Sequence, residues 1–314
     1  MSKKVAASCM GVFLMFAGLG AFAEETWEIS ERFIVHIDYS SWIQSSFTVS
    51  PDSRRVAYEA KAGDKRAVII DGKEGKYYDS IVAGTVVFSQ DSRRVAYETK
   101  EGDKWAVVVD GKEAKHYDGI GAGTLVFSPD SERVAYGAKA GSKWAIVVDG
   151  KEGTPYDGAG FPIFSPDSRR VAYGAVTGNK QFAVVDGKEG THYDGIGAGT
   201  LVFSPDSRRV AYAAVTGNKQ FVVVDGKEGK QYDRIGGSPV FSPDSRRVAY
   251  PALAGSEGFV VVDGKEDGKQ YNGIVLIGGG RIVFASSDSL HYLALKGRSL
   301  YLVEEKIKVN NSPH

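Results

Sequence analysis

The chain has 314 residues, with 39 basic and 39 acidic side chains, 39 glycines, 42% apolar residues and one cysteine. A formal net charge of zero gives no field to gather phosphate backbones, which sets nucleic acid aside as a partner. One cysteine cannot form an internal disulfide, so stability must come from packing and backbone pairing in one large β domain or two smaller ones.

Residues 1–23, MSKKVAASCMGVFLMFAGLGAFA, place two lysines before an uncharged apolar stretch that ends Ala21-Phe22-Ala23. This is the pattern of a secretory signal peptide, so a mature chain beginning near Glu24 is expected in the periplasm or outside the cell. The rival is an uncleaved anchor, because residues 5–23 approach the length of a spanning helix. Cleavage removes Lys3, Lys4 and Cys9, leaving 37 basic against 39 acidic residues, no thiol and no membrane span.

Residues 26–39, TWEISERFIVHIDY, contain the alternation Phe33, Val35, Ile37 and read as a strand. Beyond them a Val/Phe-Ser-Pro-Asp-Ser element begins at Val49, Phe88, Phe127, Phe164, Phe203 and Phe241, with a degraded copy at Phe284. The intervals are 39, 39, 37, 39, 38 and 43 residues. A period near 40 with strand-like content is the signature of a β-propeller, one blade per repeat. The repeats start near residues 47, 86, 125, 162, 201, 239 and 282 of a single domain over 24–314.

Within residues 199–235 four strands are predicted. Leu201–Phe203 ends at Ser-Pro-Asp-Ser, where proline presets φ and aspartate bonds its own backbone. Arg209–Ala213 follows, then a Thr-Gly-Asn loop and Phe221–Val224. Asp225-Gly226 next supplies a type I′ hairpin, and Glu228–Asp233 is the polar outer strand. The seventh unit offers only three strands, Arg281–Ala285, Leu290–Leu295 and Leu300–Ile307. The expected fold is therefore all-β: seven four-stranded blades, the last closed by the N-terminal strand.

FSPDSRRVAY followed by a VVVDG hairpin resembles the WD-like propeller repeat of the TolB family, over residues 47–295. The resemblance implies a secreted or periplasmic propeller that binds other proteins, often within an envelope assembly. Serine stands where that family carries glycine after the aspartate, Gln90 replaces one proline, and the N-terminal α/β domain of TolB is absent.

No catalytic residue, cofactor or metal site emerges. No Gly-x-Ser-x-Gly elbow occurs, and no two histidines stand at metal-ligand spacing. His116 and His192 share a slot that elsewhere holds proline or glutamine, which reads as an exposed edge. The hairpin aspartates, Asp71, Asp110, Asp149, Asp186, Asp225 and Asp263, lack the alternate acidic positions of a calcium loop and read as turn formers. The arginine pairs beginning at Arg54, Arg93, Arg169, Arg208 and Arg246 are expected beside Glu74, Glu113, Glu189, Glu228 and Glu266 in a charge-balanced rim.

Binding specificity needs differences between repeats. The third strand opens with Arg66, Trp105 and Trp144 in the first three units, but Gln181 and Gln220 in the next two. The following residue changes in step from Ala67, Ala106 and Ala145 to Phe182, Phe221 and Phe259. Adjacent strand residues face opposite ways, so aromatic bulk switches sides. Arg66, Trp105 and Trp144, with Lys65, Lys104 and Lys143, are the candidate partner-binding residues. The expected function is a non-enzymatic protein-binding propeller with an envelope or extracellular partner. The alternatives are a carbohydrate-binding, lectin-like propeller built on near-identical units, or a propeller lyase or glycosidase working at mouths lined by Thr85, Thr124, Thr200 and Ser238. Those positions are neutral, and no pair of carboxylates is confined to one blade.

Overall fold

The structure is a computed structural model that describes residues 30–266, 268–276 and 280–307; the predicted leader lies outside them. Seven antiparallel sheets follow one another along the chain, with no helix among the described residues. The molecule is a seven-bladed β-propeller. Blade two is representative: Ser80–Ile81 and Val87–Phe88 form a split first strand, and Val95–Glu101, Lys104–Val109 and Lys112–Glu113 complete the sheet. The fourth strand is shorter than expected. In blade five it spans Lys227–Glu228, and beyond it only a bridge between Gln220 and Tyr232 continues the pairing.

Alternation along the second strand explains how blades stack. Tyr97 faces blade one and packs with Ala57, Val68 and Tyr78, while Ala96 faces blade three and packs with Leu125 and Tyr136. Every blade thus presents a small forward side and a tyrosine-bearing backward side, and six apolar clusters fill the six successive interfaces. These side chains leave water together, each large one contributing about 1.5–3 kcal/mol.

Polar ties reinforce each interface, and they explain the repeated motif. Ser92, Ser131, Ser168, Ser207 and Ser245 sit in the left-handed region at φ 64–67°, where glycine would be easier. Their hydroxyls give the reason for serine: Ser131 Oγ accepts the N–H of Asp91 in the blade before it, at 3.0 Å. The second basic residue of the turn also reaches forward in blades one to five. Arg94 bonds Asp110 at 2.9 Å, donates to the Ser131 and Glu132 carbonyls of blade three at 3.1 and 2.6 Å, and lies over Phe127. The hairpin aspartates are turn formers, at φ 49–52°, and also the partners of these arginines. Three of the glutamates expected beside the arginines instead accept a tyrosine hydroxyl from the preceding blade: Glu113 from Tyr78 at 2.9 Å, and Glu189 and Glu228 from Tyr156 and Tyr193 at 3.0 Å. An aspartate bound to Arg by geometry leaves the rim glutamate free for the neighbouring blade.

The end of the series differs from expectation. The seventh sheet consists of Gly273–Ile274, Val283–Phe284, Ser289–Lys296 and Ser299–Lys306, and among the described residues no N-terminal strand joins it. Residues 30–38 form no strand; Val35 and Ile37 lie against Tyr58, Ala60 and Ile69 of blade one. The apolar face of blade one thus claims the alternation that the sequence offers to blade seven. The earlier part of the expected strand, residues 26–29, lies outside the described residues. Among the described residues no apolar cluster joins blade seven to blade one, and Leu300 and Leu302 stay 57% and 62% exposed.

Candidate binding face

The second-to-third hairpins and the blade-linking loops occupy one face of the molecule. In blades two to six each hairpin is held by an aspartate from the loop before the blade, and in blade seven by Asn272. Asp118 accepts the Gly141 N–H at 2.6 Å and pairs with Lys104 at 2.5 Å, tying the hairpin of blade two to that of blade three. Asp79 with Lys65 and Asp157 with Lys143 repeat the arrangement at 2.7 and 2.6 Å. The lysine and the glycine N–H hold these carboxylates below the usual aspartate range; for Asp79 the glycine bond is the larger cause, for Asp118 the lysine bond. Lys65, Lys104 and Lys143 remain about half exposed, with their charge already paired.

The candidate aromatics follow the expected switch of sides. Trp105 is half-buried and packs forward with the cluster between blades two and three; Lys100 Nζ lies 5.4 Å from its ring centre. Trp144 is likewise half-buried, with Lys139 Nζ 5.9 Å away. In blades four and five, Phe182 and Phe221 are buried and pack backward, each 5.3 Å edge-on to Tyr156 and Tyr193. The glutamines beside them reach forward instead. Gln181 and Gln220 accept the N–H groups of Ile196 and Ile235 at 2.9 and 2.8 Å. Arg66, Trp105 and Trp144 therefore occupy equivalent places in three consecutive blades, each with one side in an interface and one at the hairpin face.

Sequence reasoning overlooked the residue across from them. The second strand reads Val-Ala-Tyr-Glu in blades one and two, but glycine, glycine, alanine, proline and leucine follow the tyrosine in the others. Glu59 and Glu98 are both 1% exposed. Arg66 Nη1 stands 3.4 Å from Glu59, whose carboxyl is nonetheless pushed up because burial outweighs the arginine. Blade two has Trp105 where blade one has that arginine. Glu98 Oε1 has no hydrogen-bond partner, and burial alone pushes its carboxyl up to about 7. The signal was present in the repeats, as a change at the slot after the Val-Ala-Tyr that the first six blades share.

The mouths considered for catalysis are built from locked loops. Thr124 Oγ1 donates to the Gly121 carbonyl at 2.6 Å and accepts the Gly137 N–H at 2.9 Å; Thr85 and Thr200 repeat both bonds. Ser238 Oγ donates to the Gly199 carbonyl of the preceding blade at 3.0 Å. His192 stacks on Phe182 at 4.0 Å and lies 3.2 Å from Glu189 at an exposed edge, and His116 contacts Glu113 in the same way. Burial acts to raise the Glu113 carboxyl, but donors from His116, Lys76 and Tyr78 bring it down to about 2. Among the described residues no group of three or more His, Cys, Asp or Glu side chains is placed to hold a metal ion. Nor is any helix there long and apolar enough to cross a membrane.

No family model matches the chain, and no curated protein matches its sequence. Among solved structures it is similar to TolB from Acinetobacter baumannii, at 18% identity over 68% of this chain and 62% of that one, with a TM-score of 0.34. It is also similar to the β-propeller domain of the Trilobed protease from Pyrococcus furiosus, which has an open velcro topology. That likeness has 15% identity over 87% of this chain and 97% of that one, with a TM-score of 0.37. The Dos1 propeller matches at 12% identity over 82% and 76%, with a TM-score of 0.41. The chain spans less than two thirds of the TolB structure, and these likenesses concern fold alone. They are β-propellers, as the seven sheets of this chain are by themselves.

Proposed function

We propose that this chain is a secreted or periplasmic, non-enzymatic propeller that binds an envelope or extracellular protein through the hairpin face of its first three blades. The observation that carries the reading is an asymmetry. Arg66, Trp105 and Trp144 stand at that face in consecutive blades, while the same place holds Gln181, Gln220 and Gly258 further on. Tryptophan and arginine are the residues that most often anchor protein interfaces, and the half-exposed lysines beside them supply a polar rim. The leader-like residues 1–23 support export.

A photo-crosslinking amino acid at Lys104 or Lys143, compared with one at Arg208 on the opposite face, tests this in envelope extracts. One defined protein should be captured from the hairpin face, and the Trp105→Ala/Trp144→Ala double variant should lose it. Equal capture from both faces, or none from either, overturns the reading. The near-identical units VTGNKQFAVVDGKEG and VTGNKQFVVVDGKEG favour the lectin alternative. A glycan array with more than one occupied site per chain would select it.

A further inference from the structure

Blade four breaks the repeat. Its first strand, Gly158–Phe164, is continuous rather than split, because the link GAGFPIF is two residues shorter than GIGAGTLVF in the next unit. The shortened strand pairs with Val171–Thr177 through an irregular register between Gly160 and Ile163. At that irregularity Phe161 has φ 40°, while every other non-glycine residue at positive φ among the described residues is a serine or aspartate of the repeated turns. An aromatic residue gains nothing locally from that conformation, and strain of this kind costs about 1–3 kcal/mol. Phe161 is also 67% exposed, so its ring does not recover the cost by burial.

What the ring borders is a cavity of about 270 Å³ between blades four and five. Its walls are Phe161, Ile163, Val176, Ile196 and Leu201, and much of the remaining lining is glycine and alanine. Gly174 occupies the slot that Glu98 fills in blade two, and a Cβ added there, or at Gly160, meets no atom within 4 Å. The space is therefore made by absent side chains, beside a first strand that bends at Phe161. An apolar cavity of about 150 Å³ accepts a benzene ring. This one has room for a larger or substituted ring, with the exposed face of Phe161 to stack upon.

We propose that the cavity between blades four and five is a binding site for a small aromatic ligand, held against Phe161. The site is independent of the partner face on the first three blades, so either can fail alone. The test is titration of the chain with indole and p-cresol, followed by NMR of the Ala175, Ile163 and Leu201 methyl groups, with cyclohexanol as the non-aromatic control. Saturable shifts at millimolar concentration are expected for both aromatic probes. Gly174→Val fills the cavity from an unstrained strand position and should weaken binding at least tenfold. Phe161→Gly relieves the positive φ and should abolish ring binding without lowering the melting temperature. No saturable shift, unchanged affinity in Gly174→Val, or equal binding of cyclohexanol each overturns the proposal.

Discussion

The interface between blades two and three and that between blades four and five are built from the same repeat, yet they solve one problem in opposite ways. Between two and three, the forward side carries Glu98 and Trp105: a buried carboxylate without a partner at one oxygen, next to a half-buried indole. Between four and five, the corresponding residues are Gly174 and Gln181: the acid is absent, and the glutamine accepts the Ile196 N–H. The first interface gains packing and tolerates an unsatisfied acid. The second satisfies its polar groups and leaves space. A propeller can vary its interfaces this far because the serine, arginine and tyrosine ties at the other face are repeated in both.

Three substitutions measure that contrast. The largest effect is expected for Trp105→Ala, which removes the indole from the cluster between blades two and three. Loss of about 3 kcal/mol should appear in chemical denaturation. A loss below about 1 kcal/mol would mean that the ring belongs to the surface and not to the interface.

Glu98 comes next, and its effect depends on pH. Its folded carboxyl titrates at about 7, above the ordinary 4.5, so between these values the folded state holds more protons than the unfolded one. Stability should therefore fall by up to about 3 kcal/mol as pH rises through that window, then level off. Glu98→Gln should remove this slope, leaving the smaller one from Glu59, whose carboxyl shifts in the same direction. Thermal melts at pH 4.5, 6 and 8 distinguish the two chains; parallel curves would mean that Glu98 is solvated.

The smallest effect belongs to Gln181→Ala, which leaves the Ile196 N–H without its acceptor. A cost of about 1–2 kcal/mol is expected, falling in Gln181→Glu, where an acceptor oxygen remains. Equal losses in the two variants would assign the effect to side-chain volume.

The repeated parts of the molecule were legible because each is dictated locally. Asp225-Gly226 predicts its hairpin from the positive φ that both residues require, and the valine-rich Phe221–Val224 predicts a buried strand. The serine after each Ser-Pro-Asp is different. Its identity is set by an N–H about 40 residues earlier in the chain, and no local rule reports that partner. The ends failed for a related reason. Val35 and Ile37 announce a strand by alternation, but alternation does not say which of two apolar blades receives it. In the candidate site, the change from tryptophan to glutamine could be read by aligning the repeats. The glutamate facing it escaped notice because burial of a carboxylate depends on the next blade.

The ties between blades all span about one unit: Asp91 to Ser131 is 40 residues, Arg94 to Glu132 is 38, and Tyr117 to Glu152 is 35. A contact whose range equals the repeat length is indifferent to how many copies precede or follow it. Duplication or excision of a whole unit by recombination would preserve every remaining tie, whereas a frame slip of a few residues must be absorbed inside one blade. The shortened link of blade four is accommodated in this way: the irregularity stays between Gly160 and Ile163, while the serine and arginine ties to blade five keep their places.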